Sequence, residues 1–250
     1  MGFFHHMSIY FNGTGTMDRK MLGILGGMGP EATEILYKKI IEKTAVSGDR
    51  DHLDIVIFSH ATIPDRTECI LCGKQDYLWD ILKKDIEMLK GAGCEYFAVP
   101  CNTCHFFADK FNELTDGGFI NMIEETAAYA AARHVKKVGV MATDGTVQND
   151  MYGRALRTHG IETVYPDEEG QKKVMSIIYD EIKAGEKGDR HKFMEVVAPL
   201  RDRGCEAVIL ACTELSVFNV NYELGGDYYI DALNVLTRAC IEKCGAKYLM

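Results

Sequence analysis

No stretch of this 250-residue chain approaches the roughly 18 consecutive apolar residues that a bilayer-spanning helix needs, so no membrane span is expected. Basic residues are in deficit, with 28 Lys and Arg against 37 Asp and Glu and a formal net charge of -9. The longest basic cluster is Arg133 to Lys137, so neither nucleic acid nor an anionic membrane is an expected partner. Ser/Gly-rich linkers and low-complexity tracts are absent. With 47% hydrophobic and 26% charged residues, collagenous and disordered classes are excluded. P-loop, H-E-x-x-H and G-x-S-x-G patterns are missing too, which removes the usual motif grounds for phosphate-cradling, zincin or serine-hydrolase chemistry. Met1 to Lys20 lacks a basic region followed by an apolar one, so no secretory leader is expected. The nine cysteines are accordingly expected as reduced thiols in the cytoplasm. Residues 1–19 show neither strand nor helix period and read as a loose arm or a tag remnant.

At 28.0 kDa the chain suits one large α/β domain or two smaller lobes. From Met21 onward short apolar runs alternate with amphipathic stretches, the pattern of βα units around a parallel sheet. Strands are expected over 21–25, 54–59, 95–100, 118–121, 137–142, 162–165, 206–211 and 228–230. Helices are expected over 31–43, 76–91, 103–114, 121–134, 146–159, 171–184, 189–204 and 231–244, with Pro30 suited to a first helical position. An internal repeat organises these elements. Gly93-Cys-Glu-Tyr-Phe-Ala-Val-Pro-Cys101 matches Gly204-Cys-Glu-Ala-Val-Ile-Leu-Ala-Cys212, and Leu22-Gly-Ile-Leu-Gly-Gly-Met-Gly29 lies over Val138-Gly-Val-Met-Ala-Thr-Asp-Gly145. The expected architecture is therefore two similar parallel-sheet α/β lobes related by a pseudo-twofold axis. Lobe one takes residues 21–120 plus 230–250, and lobe two takes 121–229.

Ligands of parallel α/β sheets bind beyond the carboxyl ends of the strands. Cys101 and Cys212 stand at equivalent strand ends, so a pseudo-twofold axis sets their thiols on opposite walls of one interlobe cleft. Two sulfur acid/bases facing a substrate from opposite sides suit stereoinversion at carbon, one removing a proton while the other delivers one. The bland alternative is a pair of small buried hydrophobes. Asn102, Thr103, Thr213 and Glu214 directly follow the cysteines, and Thr143 and Thr146 follow the equivalent strand of lobe two. Their polar groups are candidates to hold an α-carboxylate and α-ammonium, or they are helix caps. Met28 and Gly29 in the first loop are candidate walls that let a substrate approach the backbone.

Three segments, Gly23-Ile-Leu-Gly-Gly-Met-Gly-Pro-Glu-Ala-Thr33, Val99-Pro-Cys-Asn-Thr-Cys-His105 and Ala211-Cys-Thr-Glu214, resemble signatures of the aspartate/glutamate racemase family, especially its aspartate racemase branch. The resemblance spans about residues 21 to 244. It implies two α/β lobes, a homodimer, and cofactor-independent racemisation, without pyridoxal phosphate or metal, by two cysteines that map to Cys101 and Cys212. Arg66 resembles the family position that contacts a substrate side-chain carboxylate, and Lys183 resembles a second basic position. An arginine fork there favours an acidic amino acid, aspartate first and glutamate second. Two departures stand out: alanine precedes Cys212 where glycine is commoner, and Cys104 replaces a small residue.

Rival patterns are weaker. Gly27-Met-Gly-Pro-Glu-Ala32 fits a relaxed dinucleotide fingerprint, but no acidic residue closes the second strand. Cys69-x-x-Cys72 and Cys101-x-x-Cys104 would suit zinc or redox chemistry, although the interval between the pairs is long for a zinc module and the repeat accounts for Cys101 without metal. Cys94, Cys205, Cys240 and Cys244 read as packing residues, and His105 as a structural partner near Cys101. Beside the racemase stand two other readings: a cofactor-free lyase or isomerase acting on a dicarboxylate, and a two-lobe binding protein for an acidic metabolite.

Overall fold

The computed structural model describes residues 19–249, so of the N-terminal arm only Arg19 falls within it. The first lobe runs β1 (Leu22–Gly26), α1 (Pro30–Lys43), β2 (Ile55–Ser59), α2 (Arg66–Leu71), α3 (Gln75–Gly91) and β3 (Tyr96–Ala98). A 3₁₀ segment (Asn102–Phe107), α4 (Ala108–Leu114) and α5 (Met122–Ala132) follow. The second lobe runs β4 (Lys137–Ala142), α6 (Asp144–Gln148), α7 (Met151–Thr158), β5 (Glu162–Val164), α8 (Glu168–Ser176), a π-helical segment (Ile177–Ile182) and α9 (Arg190–Asp202). It closes with β6 (Ala207–Ala211), α10 (Thr213–Tyr222), β7 (Tyr229–Asp231) and α11 (Ala232–Lys243).

All strand pairs are parallel, in the orders β2-β1-β3 and β5-β4-β6-β7. The segment expected as a strand over 118–121 is reduced to one bridge, Phe97 to Phe119, which extends the first sheet on the side where β7 extends the second. The two sheets thus repeat one order, and the expected two-lobe parallel α/β class is the observed one. Gly23 and Gly139 occupy the same place in the central strands for the same steric reason. A Cβ on Gly23 would stand 3.1 Å from Cys94, and one on Gly139 would stand 2.9 Å from Leu200.

The central strands β1 and β6 are buried throughout and β4 is buried beyond Lys137, which is why they read as apolar runs. In α1, Pro30 opens the first turn, Glu31 and Lys43 complement the helix dipole, and Ala32, Ile35, Leu36 and Ile40 form the buried stripe. One hydrophobic cluster joins Leu22, Ile24 and Leu36 of the first lobe to Leu210, Leu215, Phe218 and Leu236 of the second. The lobes therefore share a core. No helix among the described residues is long and apolar enough to cross a membrane.

Several expected boundaries shift for local reasons. The helix expected over 146–159 is two, because Asp150 at φ 46° breaks the ladder between α6 and α7. The helix expected from 171 starts at Glu168, capped by Asp167, and ends in the π-helical segment. The one expected from Thr103 opens as a 3₁₀ turn, and α2 was not expected. A lobe boundary after residue 229 cuts β7, whose partner is β6, while α11 packs on both α1 and α5.

The shared core makes a direct prediction. Phe193 and Phe218 are fully buried and stack at 4.5 Å with 20° between their planes. Phe193→Ala is expected to cost about 3–5 kcal/mol of unfolding free energy, measured by urea denaturation, and a loss below about 1 kcal/mol would contradict the packing described.

Candidate functional site

The site begins where the strands stop. Ala142 and Ala211 are register partners, so Thr143 and Cys212 leave the second sheet side by side. In the first sheet, Gly26 is level with Ser59, and the chain turns at Gly27, whose φ of 90° suits glycine. That turn is pinned by Thr33, whose hydroxyl accepts from the Gly27 N–H at 2.9 Å and donates to the Gly29 carbonyl at 3.0 Å. Cys101 and Cys212 each occupy the cap position before a helical segment, in extended backbone. Both are buried, and both line one cleft of about 250 Å³.

Ten of the eleven residues expected at the site line this cleft: Met28, Arg66, Cys101, Asn102, Thr103, Thr143, Lys183, Cys212, Thr213 and Glu214. Thr146 does not. It is fully buried behind the wall, where its hydroxyl lies 3.2 Å from that of Thr143 and 3.4 Å from that of Thr103. Thr103 and Thr143 meet at 2.9 Å, so a triangle of hydroxyls fastens the two lobes at the cleft floor. Asn102 is fastened similarly, its carbonyl oxygen accepting from the Tyr152 hydroxyl at 2.5 Å. Asp65, Thr67 and Tyr179 also line the cleft and were missed. Asp65 carried a legible signal, since it caps α2 by accepting from the Glu68 N–H, an acidic cap with glutamate three residues on. Tyr179 carried a weaker one, standing one helical turn before Lys183.

The two sulfurs sit in opposite electrostatic settings. A hydrogen bond from the Cys104 thiol, aided by the nearby Arg66 guanidinium, outweighs burial and brings the Cys101 thiol down to about 6. Burial pushes Cys104 itself well above the ordinary thiol range. Cys212 is also driven well above that range, first by burial and then by the adjacent Glu214 carboxylate, to which its thiol donates at 2.9 Å. Of the two cleft sulfurs, Cys101 is therefore the one whose charge is favoured and Cys212 the one held as a thiol. His105 supports the thiolate's turn as a neutral ring, burial taking it down to about 4. Its Nδ1 donates to the Cys101 carbonyl at 3.0 Å, and its Nε2 accepts from the Met122 N–H at 3.0 Å.

Arg66 donates to the carbonyls of Pro64 at 3.2 Å and Met28 at 3.3 Å, while its buried Nε has no hydrogen-bond partner among the described residues. The buried Asn102 Nδ2 likewise has none. Two unspent N–H donors thus lie along the same cleft, a setting for carboxylate oxygens. Lys183 is committed otherwise. Its ammonium pairs with Asp65 at 3.1 Å and sits 3.6 Å from the centre of the Tyr179 ring, while Tyr179 donates to both Asp65 oxygens. These contacts close the cleft's outer edge from lobe to lobe. A wider cavity of about 880 Å³, lined by Met28, Arg66, Lys183 and Glu214 with Gly27 and Glu31, adjoins it there.

Among the described residues no three His, Cys, Asp or Glu side chains converge as a metal site. Cys69 and Cys72 do not join the other thiol pair, and Cys72 is exposed.

The unequal thiols predict unequal reactivity. Iodoacetamide at neutral pH is expected to label Cys101 well before Cys212, and the Cys101 rate should fall as pH drops through about 6, where the thiolate takes up a proton. Peptide mapping of the two sites checks this, and equal rates would contradict the asymmetry.

Known proteins resemble this chain in sequence and fold. The sequence profile of the Asp/Glu/hydantoin racemase family matches residues 25–240. The broad specificity amino-acid racemase RacX of Bacillus subtilis (strain 168) is 25% identical over 202 residues, spanning 78% of this chain and 86% of that protein. Among solved structures, the aspartate racemase of Picrophilus torridus superposes with a TM-score of 0.80 at 30% identity, covering 92% of this chain and 96% of its own. PH1733 of Pyrococcus horikoshii OT3, described as an aspartate racemase homologue, superposes at 0.71 with 26% identity over 90% of this chain and 99% of its own. Profile, sequence and fold agree over nearly the whole length, and the chain belongs to the Asp/Glu/hydantoin racemase family.

Proposed function

We propose that this protein interconverts the L and D forms of an acidic amino acid, aspartate before glutamate, by a two-base mechanism with Cys101 and Cys212 as its acid/base pair. The observation that carries the reading is that two buried thiols at equivalent strand ends line one cleft, with Cys101 drawn down and Cys212 pushed up from the ordinary thiol range by their neighbours. A thiolate at Cys101 removes the α-proton from one face of the substrate, and the Cys212 thiol delivers its own proton to the other. The reverse enantiomer is handled by the same pair with the roles exchanged. As the α-proton leaves, charge moves onto the α-carboxylate, and N–H donors aimed at it stabilise that charge. Asn102 Nδ2 is suited to this, with Thr103, Thr143 and Thr213 supplying hydroxyls nearby. Arg66, with its unspent Nε, is assigned to the side-chain carboxylate. Lys183, held by Asp65 and Tyr179, adds positive charge at that end of the cleft.

Chiral chromatography of aspartate, glutamate, alanine and lysine incubated with the purified protein tests the activity and its range. Racemisation of aspartate is expected to lead, and equal turnover of alanine would overturn the acidic preference. Cys101→Ser and Cys212→Ser should each lose about 10²–10⁴-fold or more in rate, because a hydroxyl cannot hold the charge a thiolate holds. In D₂O, the newly formed enantiomer should carry deuterium from the first turnovers while the remaining starting enantiomer stays unlabelled. Unlabelled product at low conversion would point to a single base and sink the two-cysteine assignment.

Arg66 gives a separate test. Its replacement by alanine should raise KM for aspartate by about 10- to 100-fold relative to any change for alanine as substrate, the loss of a charge-assisted bond worth roughly 1.5–3 kcal/mol. Unchanged discrimination between aspartate and alanine would remove Arg66 from the specificity role.

A further inference from the structure

Cys101 and Cys104 are the first and last residues of a single turn. The Cys104 N–H donates to the Cys101 carbonyl at 3.2 Å. A turn closed this way keeps its end Cα atoms within about 7 Å, a separation a disulfide can bridge. The two thiols differ in access. Cys101 lines the cleft, whereas Cys104 is wholly buried behind it, its thiol donating to the Met28 sulfur at 3.4 Å and adjoining Cys101. On the opposite wall no second thiol occupies the equivalent turn, and Cys212 is partnered by a carboxylate. The proton-transfer reading employs Cys101 and leaves Cys104 without a chemical task of its own.

We propose that Cys101 and Cys104 form a peroxide-reactive dithiol, in which oxidation of Cys101 is captured by Cys104 as a disulfide that reversibly closes the site. In the first step the Cys101 thiolate attacks one oxygen of hydrogen peroxide, the O–O bond breaks, hydroxide departs and the sulfur becomes a sulfenic acid. In the second the Cys104 sulfur attacks that atom, the S–S bond forms, and the hydroxyl leaves as water with the thiol proton. Two thiols and one peroxide thus become one disulfide and two waters. The arrangement favours this order. The sulfur that lines the cleft with Arg66 is that of Cys101, and the buried thiol stands at the other end of the same closed turn, placed to resolve the sulfenic acid. The shut-off rests on the racemase reading, because a Cys101 tied in a disulfide can neither take nor return a proton.

The test uses the full-length protein exposed to a small excess of hydrogen peroxide, then denatured, blocked with iodoacetamide and digested with trypsin. Residues 91–110 form one tryptic peptide that carries Cys94, Cys101 and Cys104. Tandem mass spectrometry is expected to find it lighter by two hydrogens, alkylated only at Cys94, with Cys101 and Cys104 linked and released by dithiothreitol, while Cys212 is alkylated. Finding Cys101 and Cys104 both alkylated, or Cys101 as a sulfinic acid beside a free Cys104, would overturn the proposal. In Cys104→Ser the Cys101 sulfenic acid should instead be trapped by dimedone and oxidise further. Dithiothreitol should then restore most activity to the wild-type protein and under about a tenth to the variant. Equal recovery in the two would also overturn it. Because the peptide mass needs no turnover, a missing disulfide refutes this inference and leaves the racemase reading intact. A disulfide formed in a protein without racemase activity refutes that reading alone.

Discussion

Two sulfur atoms taken out of water in the same cleft would both be driven toward the neutral thiol by burial alone, and two neutral thiols cannot start a proton abstraction. The arrangement around the cleft breaks that tie. Cys101 receives a hydrogen bond from Cys104 and the field of Arg66, whereas Cys212 faces the carboxylate of Glu214. These neighbours favour charge on Cys101 and the proton on Cys212. Were both surroundings governed by burial alone, the form with two protons would dominate, and it can donate but not accept. The asymmetry is built on a symmetric frame, and it comes from the side chains that neighbour each cysteine, Cys104 and Arg66 on one wall and Glu214 on the other.

The frame itself depends on the lobes being locked at the correct separation. The Thr103, Thr143 and Thr146 hydroxyls fasten the floor, Tyr152 fastens Asn102, and Asp65 with Lys183 and Tyr179 fasten the edge. Beneath these polar contacts one shared hydrophobic cluster joins the two sheets. The floor and the edge differ in kind. The threonine contacts are buried and neutral, whereas the Asp65–Lys183 pair is part-exposed and adjoins the wider cavity. An exposed ion pair is the weaker fastening, so the edge is the side on which a charged substrate can compete for a partner.

Much of this was legible in the primary structure because duplication leaves a signal that does not depend on folding details. Matching Gly-Cys-Glu strands placed Cys101 and Cys212 at equivalent ends, and parallel-sheet topology placed those ends at a ligand site. The residues that escaped notice belong to no repeat. Asp65 and Tyr179 are 114 positions apart in sequence and meet only because the lobes face each other. Thr146 looked equivalent to Thr143, yet the first turn of α6 points its hydroxyl behind the wall. Element boundaries failed where short-range geometry overrode periodicity. Asp150 in a left-handed conformation and the π-helical segment before Lys183 both preserve an apolar pattern that reads as one continuous helix. That π-helical segment carries Tyr179 and leads directly into Lys183, in keeping with the tendency of such irregularities to sit at functional positions.

Cys104 shows how a departure from a family pattern can carry more information than agreement with it. A small residue in its place would leave Cys101 with Arg66 as its main source of charge stabilisation, opposed by burial. The thiol adds a donor that no methyl group can supply, and charge-assisted donors act most strongly where water is excluded. The same donor is also a nucleophile once its partner sulfur is oxidised. In the two readings proposed above, one substitution couples two properties: what strengthens the thiolate for proton transfer also raises its reactivity toward peroxide and supplies the thiol that resolves the product. A cleft that relied on Arg66 alone would hold its thiolate less firmly and would have no neighbouring thiol to bring an oxidised sulfur back.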